Sequence, residues 1–374
     1  MAFTPLIRQY VSHSLATSLA KGQVRPSSQG ELLHFRLRRP RIDPPTPALV
    51  FFFVTKKPVT NSYSTPERFT LKGSAWAFWL IHLIPLLAIF TSITRFDVLL
   101  LVLLYFTRMF FVTGGMHRYF AHRSYKLNRF WQFWMGVGGT FGGQKGPLWW
   151  ASHHRNHHRY SDTAKDPHSS QKGFLWCHLG WFLCKRYHKP EMDVVQDLAK
   201  YPEIRWLERN HWIPQVFLGV TIWLIGGYHT GTWDATTAWS ALWFAFFLSM
   251  VLVWHGTFTI NTQAPLFGRQ RYRTGDTSRN SLILALITNG EGWHNNHHHS
   301  PSSAKQGFYW WEIDLTYYVL VMLSWVGIVK DLRKPTSGVL NSRSTNPERV
   351  ALEIPSISTM RTSEPEPLGI ELQH

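Results

Sequence analysis

Four imidazoles stand within six residues of this chain, at His153, His154, His157 and His158. Wound as a helix, His154, His157 and His158 fall at i, i+3 and i+4 and share one face. The stretch from Trp293 to His299 repeats that spacing with His294, His297 and His298, and His299 trails it. An H-x4-H pair, His117 and His122, precedes both. Neutral imidazole is the commonest metal ligand, and nitrogen-rich sites suit iron, copper, nickel or zinc better than magnesium or calcium. Eight or more imidazoles exceed what one catalytic metal can take while keeping a position open. The three clusters therefore predict two metals. With no thiolate and few carboxylates among them, a redox-active pair of irons using dioxygen is the expected centre.

The elements that must position these boxes are apolar. The chain has 374 residues with 19 Trp and 25 Phe, and its mean hydropathy of −0.16 is negative only because both ends are polar. A net charge of +17 fits either nucleic acid or an anionic membrane surface. Long apolar runs flanked by aromatics select the membrane, so a lipid bilayer and no nucleic acid is the expected partner. Cys177 and Cys184 are too few for a disulfide framework and lack zinc spacing; they are expected to be inert thiols in a reducing compartment.

Residues 1–70 are Ser-, Pro- and Arg-rich. They read as a disordered basic arm, as a transit-like segment or as an over-long start. A domain over 71–334 follows, and then a Ser/Thr/Pro/Glu-rich tail, 335–374, expected to be disordered. Hydropathy predicts spans over residues 76–93 and 98–112, the second continuing into the first box, joined by a turn at 94–97. A second hairpin is expected from 212–228 and 238–258. Its connecting loop, 229–237, carries Asp234 and no Lys or Arg, whereas 117–210 is rich in both. The positive-inside rule then puts both short loops outside and all three boxes on the cytoplasmic face of a multi-pass protein. Residues 130–141 and 315–329 are apolar but short and are expected in the interface. The fold class is thus an all-α integral membrane protein, with four transmembrane helices in two hairpins and a cytosolic helical cap holding the metals.

Residues 114–123 (GGMHRYFAHR), 154–158 (HRNHH) and 290–298 (GEGWHNNHH) resemble the three His boxes of membrane fatty acyl-CoA desaturases of the stearoyl-CoA desaturase-like family. The resemblance covers about residues 72–334. It implies a four-helix membrane fold with a cytosolic cap. It also implies a di-iron site that introduces a cis double bond, usually at C9–C10, into a long-chain acyl-CoA or acyl-lipid. Carried over box by box, the implied ligands of two irons are His117, His122, His154, His157, His158, His294, His297 and His298. His153 and His299 are expected near the metals or on the surface, and His178 in a structural or interfacial place.

The segment 257–268 resembles the family's last span, in which an Asn is followed four residues on by a ninth His. Asn261 is present, where its amide could hold a metal-bound water. Pro265 stands where the His is expected, and proline cannot ligate metal. Water, His299 or His153 is then expected to complete the second iron, unless that iron binds weakly. The resemblance also places Gln144, Trp150 and Thr257 along the bend of a substrate tunnel. Basic cap residues such as Lys145, Arg155, Lys185 and Arg186 could meet coenzyme A phosphates, but such a charge run is more often a membrane-facing solvated surface, and none of them is taken as a site. Alternative readings are a related di-iron membrane hydroxylase and a silent desaturase-like protein weakened by Pro265. The chain shows no haem box and no iron–sulfur Cys pattern, so a separate electron donor, ferredoxin or cytochrome b5-like with its reductase, is expected beside O2.

Overall fold

The computed structural model describes residues 74–234, 238–264 and 267–342. The expectations for the N-terminal arm and for Pro265 lie outside the described residues. Among the described residues the regular elements are helices joined by loops, and β pairing is confined to isolated bridges such as Lys126 with Lys330.

The first apolar segment winds as an α-helix over Ser74–Leu83 and tightens to a 3-10 helix over Ile84–Phe90. Pro85 sits at the changeover, where its missing N–H and fixed φ suit a helix start rather than an α-helical interior. The following helix begins earlier than the expected turn at 94–97 allowed. Thr94 accepts from the Asp97 backbone N–H at 3.3 Å, and the Asp97 carboxylate accepts from Thr94 N at 2.8 Å. This capping box draws Arg95, Phe96 and Asp97 into the helix, leaving a shorter connection.

From Arg95 the chain stays helical to Ala121, and a second such run spans Ala238–Gln263. Both are long and apolar enough to cross a membrane. Val98, Leu99, Val102, Leu103 and Phe106 are exposed along the first run while Leu104 and Arg108 are buried. An outer face of that composition is suited to lipid rather than water. Trp212–Thr230, of 19 residues, ends at Gly231, whose φ of 70° gives the left-handed cap that glycine adopts freely. Residues 75–90 and 315–325 form shorter apolar helices.

Shorter helices gather at the C-terminal end of the first long run. Arg129–Thr140 packs on it, and Pro202–Arg209 packs on Arg129–Thr140 and on Pro147–Tyr160, around a core of Phe120, Leu148, Leu198, Ile204 and Leu207. The expected tail begins with a helical turn at Ser337–Asn341, whose cap Thr336 accepts from Val339 N at 3.3 Å.

Candidate metal centre

The first long helix changes its winding as it reaches the first box. Phe111–Ala121 is π-helical, and the His122 N–H donates to the His117 carbonyl at 3.1 Å. An i→i+5 bond stacks the residue five on above the first. That brings His117 and His122 to one side, which α-helical winding does not do. The second box lies on Pro147–Tyr160. Pro147 opens this helix, and the Glu208 carboxylate accepts from Leu148 N at 2.8 Å and Trp149 N at 3.0 Å. Gly146 is required there, because a side chain would collide with Glu208.

The third box forms the short helix His294–His299. Its two asparagines anchor it. Asn295 Oδ1 accepts from the Arg271 and Tyr272 backbone N–H groups at 2.7 Å each, and Asn296 Nδ2 donates to Gln306 O and Glu312 Oε2 at 2.9 Å each.

These helices gather the eight histidines into two groups. His117, His122, His154, His158 and His297 place one donor nitrogen each within 4.8 Å of all the others; His157, His294 and His298 form a second such group. Within the first, Nε2 atoms approach at 3.0 Å (His117–His297), 2.8 Å (His122–His154) and 2.9 Å (His158–His297). His117 Nδ1 faces the Glu291 carboxylate at 2.6 Å, so its Nε2 carries a lone pair. His297 Nε2 meets two other nitrogens, and one proton cannot serve both. Two nitrogens bound about 2.1 Å from one metal at right angles lie about 3.0 Å apart, so the spacing is that of neighbouring ligands on a shared ion.

The second group carries the same signature. Asp166 accepts from His157 Nδ1 at 3.0 Å and Asp276 from His298 Nδ1 at 2.6 Å. Each opposite Nε2 is buried without a partner among the described residues. A carboxylate fixing the far nitrogen is how metal-bound histidine is oriented. Burial first, and then repulsion among neighbours, holds His122, His154, His158, His294 and His297 well below the ordinary imidazole pKa. They are neutral with lone pairs to give. Burial opposes ionisation of Asp276 and Asp166, but the histidine partners outweigh it and hold both well below the usual carboxylate range. The donor set fits two nitrogen-ligated metals.

A cavity of about 450 Å³ abuts the first group and is lined by His154, Trp149, Trp150, Trp254, Thr257 and Phe258, among others. Trp150 stacks on His154 with ring centroids 4.9 Å apart. Its Nε1–H donates to Gln144 Oε1 at 3.0 Å, and the Gln144 amide donates to Thr257 Oγ1 at 2.7 Å. Gln144, Trp150 and Thr257 thus form one hydrogen-bonded wall. Asn261 lines a smaller cavity together with His157, His294 and His298.

Other histidines lie elsewhere. His153 is buried rather than on the surface, with Nε2 at 3.2 Å from Lys189 O. His299 stacks on Tyr272 and bonds Ser342 at 2.7 Å. His178 bonds His255 at 3.0 Å. Neither His153 nor His299 joins the second group. Arg155 pairs with Asp197 at 2.6 Å and donates to the Phe120, Ala121 and Val194 carbonyls, so it clamps the box helix instead of facing a phosphate. Glu291, Asp166, Asp276 and His168 carry no mark in the spacing of the box histidines. The run of Asp166, Pro167 and His168, close behind the second box, was the available signal.

The fatty acid desaturase family model matches residues 94–322. The chain is 32% identical over 297 residues to an sn-1 stearoyl-lipid 9-desaturase of Synechocystis, covering 79% of this chain and 89% of that one. It is 35% identical over 226 residues to the sn-1 stearoyl-lipid 9-desaturase of Anabaena variabilis, covering 59% and 78%. An acyl-CoA C20 Δ5-desaturase of Anemone leveillei is 32% identical over 61% of this chain and 70% of its own. With three His boxes folded into two donor groups inside the matched span, the chain belongs to the fatty acid desaturase family.

Proposed function

We propose that this chain introduces a cis double bond, at Δ9, into a long-chain acyl group carried by coenzyme A or by a membrane lipid. The observation that carries the reading is the division of eight box imidazoles into two adjoining groups, one of them against an apolar cavity. His117, His122, His154, His158 and His297 would hold one iron; His157, His294 and His298 would hold the other. The irons, when bound, supply the dioxygen chemistry that removes two hydrogens from neighbouring methylenes. The overall change is –CH2–CH2– plus O2, two electrons and two protons to –CH=CH– plus two waters.

The chain's own residues give this chemistry its place. Trp150, Gln144 and Thr257 hold one wall of the cavity beside His154, which sets which methylenes lie nearest the first group. Phe78, Trp254 and Phe258 keep the cavity apolar and exclude water. Glu291, Asp166 and Asp276 hold His117, His157 and His298 in the tautomer that offers Nε2. Asn261 offers an amide beside the second group.

The two long apolar runs support a membrane protein of four spans over a domain of about 71–334, with Trp212–Thr230 and 75–90 as the other two. Charge asymmetry between 117–210 and 229–237 supports boxes on the cytoplasmic side. A separate ferredoxin or cytochrome b5-like donor supplies the electrons. Lipid analysis of cells expressing the chain tests the reading, with separate assays on isolated acyl-CoA and acyl-lipid. A Δ9 monounsaturated product is expected. Iron-loaded protein with a reducing donor and O2 that forms no unsaturated product from either carrier would overturn it.

A further inference from the structure

A second-group metal held by His157, His294 and His298 has three nitrogens, against five in the first group. Another imidazole lines the cavity beside it. His168 follows the second box on the loop that supplies Asp166, and it lines the same small cavity as His157, His294, His298 and Asn261. Its donor nitrogen lies within 4.8 Å of donor atoms of His157 and Asp166, so His157 belongs to both clusters. The His157 and His168 rings sit 4.1 Å apart by centroid, close to the 4.3 Å between His294 and His298.

His168 is buried, yet neither ring nitrogen bonds another described residue. The ring borders the cavity, where its lone pair is open to a ligand. Its backbone, by contrast, is fully tied: His168 N donates to Asp166 Oδ1 at 3.1 Å and the Cys177 thiol donates to its carbonyl at 3.0 Å. The loop holds the ring in place and, among the described residues, gives its nitrogens no hydrogen-bond partner.

We propose that His168 supplies the fourth nitrogen of the second metal, in place of a histidine at position 265. This rests on the two-metal reading above. Full-length protein, purified from iron-replete cells, is compared with His168→Ala and His299→Ala for iron per chain, for the Mössbauer spectrum, and for melting after chelation. Wild type and His299→Ala are expected to hold about two irons. His168→Ala is expected to hold about one, with the second-group signal lost and the metal-free melting unchanged, and added imidazole is expected to restore the lost iron. Full retention of iron in His168→Ala overturns the assignment, as does a loss that imidazole does not restore. A wild type that binds one iron or none sinks the two-metal reading itself, which separates the two failures.

Discussion

The Asp276–His298 contact offers a test in which one atom changes. Asp276 Oδ2 accepts from His298 Nδ1 at 2.6 Å, while Oδ1 accepts from Ser278 N at 3.0 Å and from Thr274 Oγ1 at 2.6 Å. In Asp276→Asn the amide oxygen stays on the Ser278 side, because that backbone N–H cannot reverse its role. The new NH2 group then meets His298 and can only donate. His298 must give up the Nδ1 proton and carry it on Nε2, the nitrogen that is buried without a partner among the described residues. A protonated Nε2 cannot bind metal. Loss of such a carboxylate partner costs about 10–100-fold in metal affinity, or about 1.4–2.7 kcal/mol. Competition with a calibrated chelator measures it, the first group serving as internal reference. Because the folded Asp276 pKa is held below its unfolded value, its contribution is complete above about pH 4 and is lost only as pH falls through the folded value. The affinity ratio should therefore be flat between pH 6 and 8. Equal affinity of variant and wild type for the second metal would refute the tautomer argument.

Two further outcomes follow from the same geometry. His157→Ala should leave the protein inserted in the membrane but short of iron and without measurable desaturation, whereas His153→Ala, which loses only its Lys189 contact and packing, should keep its iron; iron analysis and product assay compare them. Glu208→Ala orphans the Leu148 and Trp149 N–H donors and should lower stability by about 1–3 kcal/mol, read from denaturant unfolding of the metal-free protein.

The box histidines were legible because i, i+3, i+4 spacing survives translation into a helix unchanged. His294, His297 and His298 needed only the winding of one short segment. The partners that orient them were not legible. Asp276 reaches His298 from 22 positions away and Glu291 reaches His117 across 174, and no local period links such pairs. His117 and His122 were recognisable as a pair, but their shared side depends on π winding, which has no mark in residue periodicity. The span boundaries moved for local reasons, Pro85 tightening one helix and the Thr94–Asp97 capping box starting the next. Arg155 looked like a surface cation because its acceptors, three backbone carbonyls and Asp197, become neighbours only on folding.

The division of donors has a further consequence. The second-box helix sends His154 and His158 to one group and His157 to the other, while the third sends His297 to the first and His294 and His298 to the second. Each helix therefore holds both groups at once, in opposite proportions. Inserting one residue early in either helix turns every later imidazole by about 100°. Both groups would lose donors in the same step, and no loop adjustment could repair one without the other. A change of length inside either helix thus removes both sites together, whereas residue replacement inside the helices and length variation between them leave each site to change by itself.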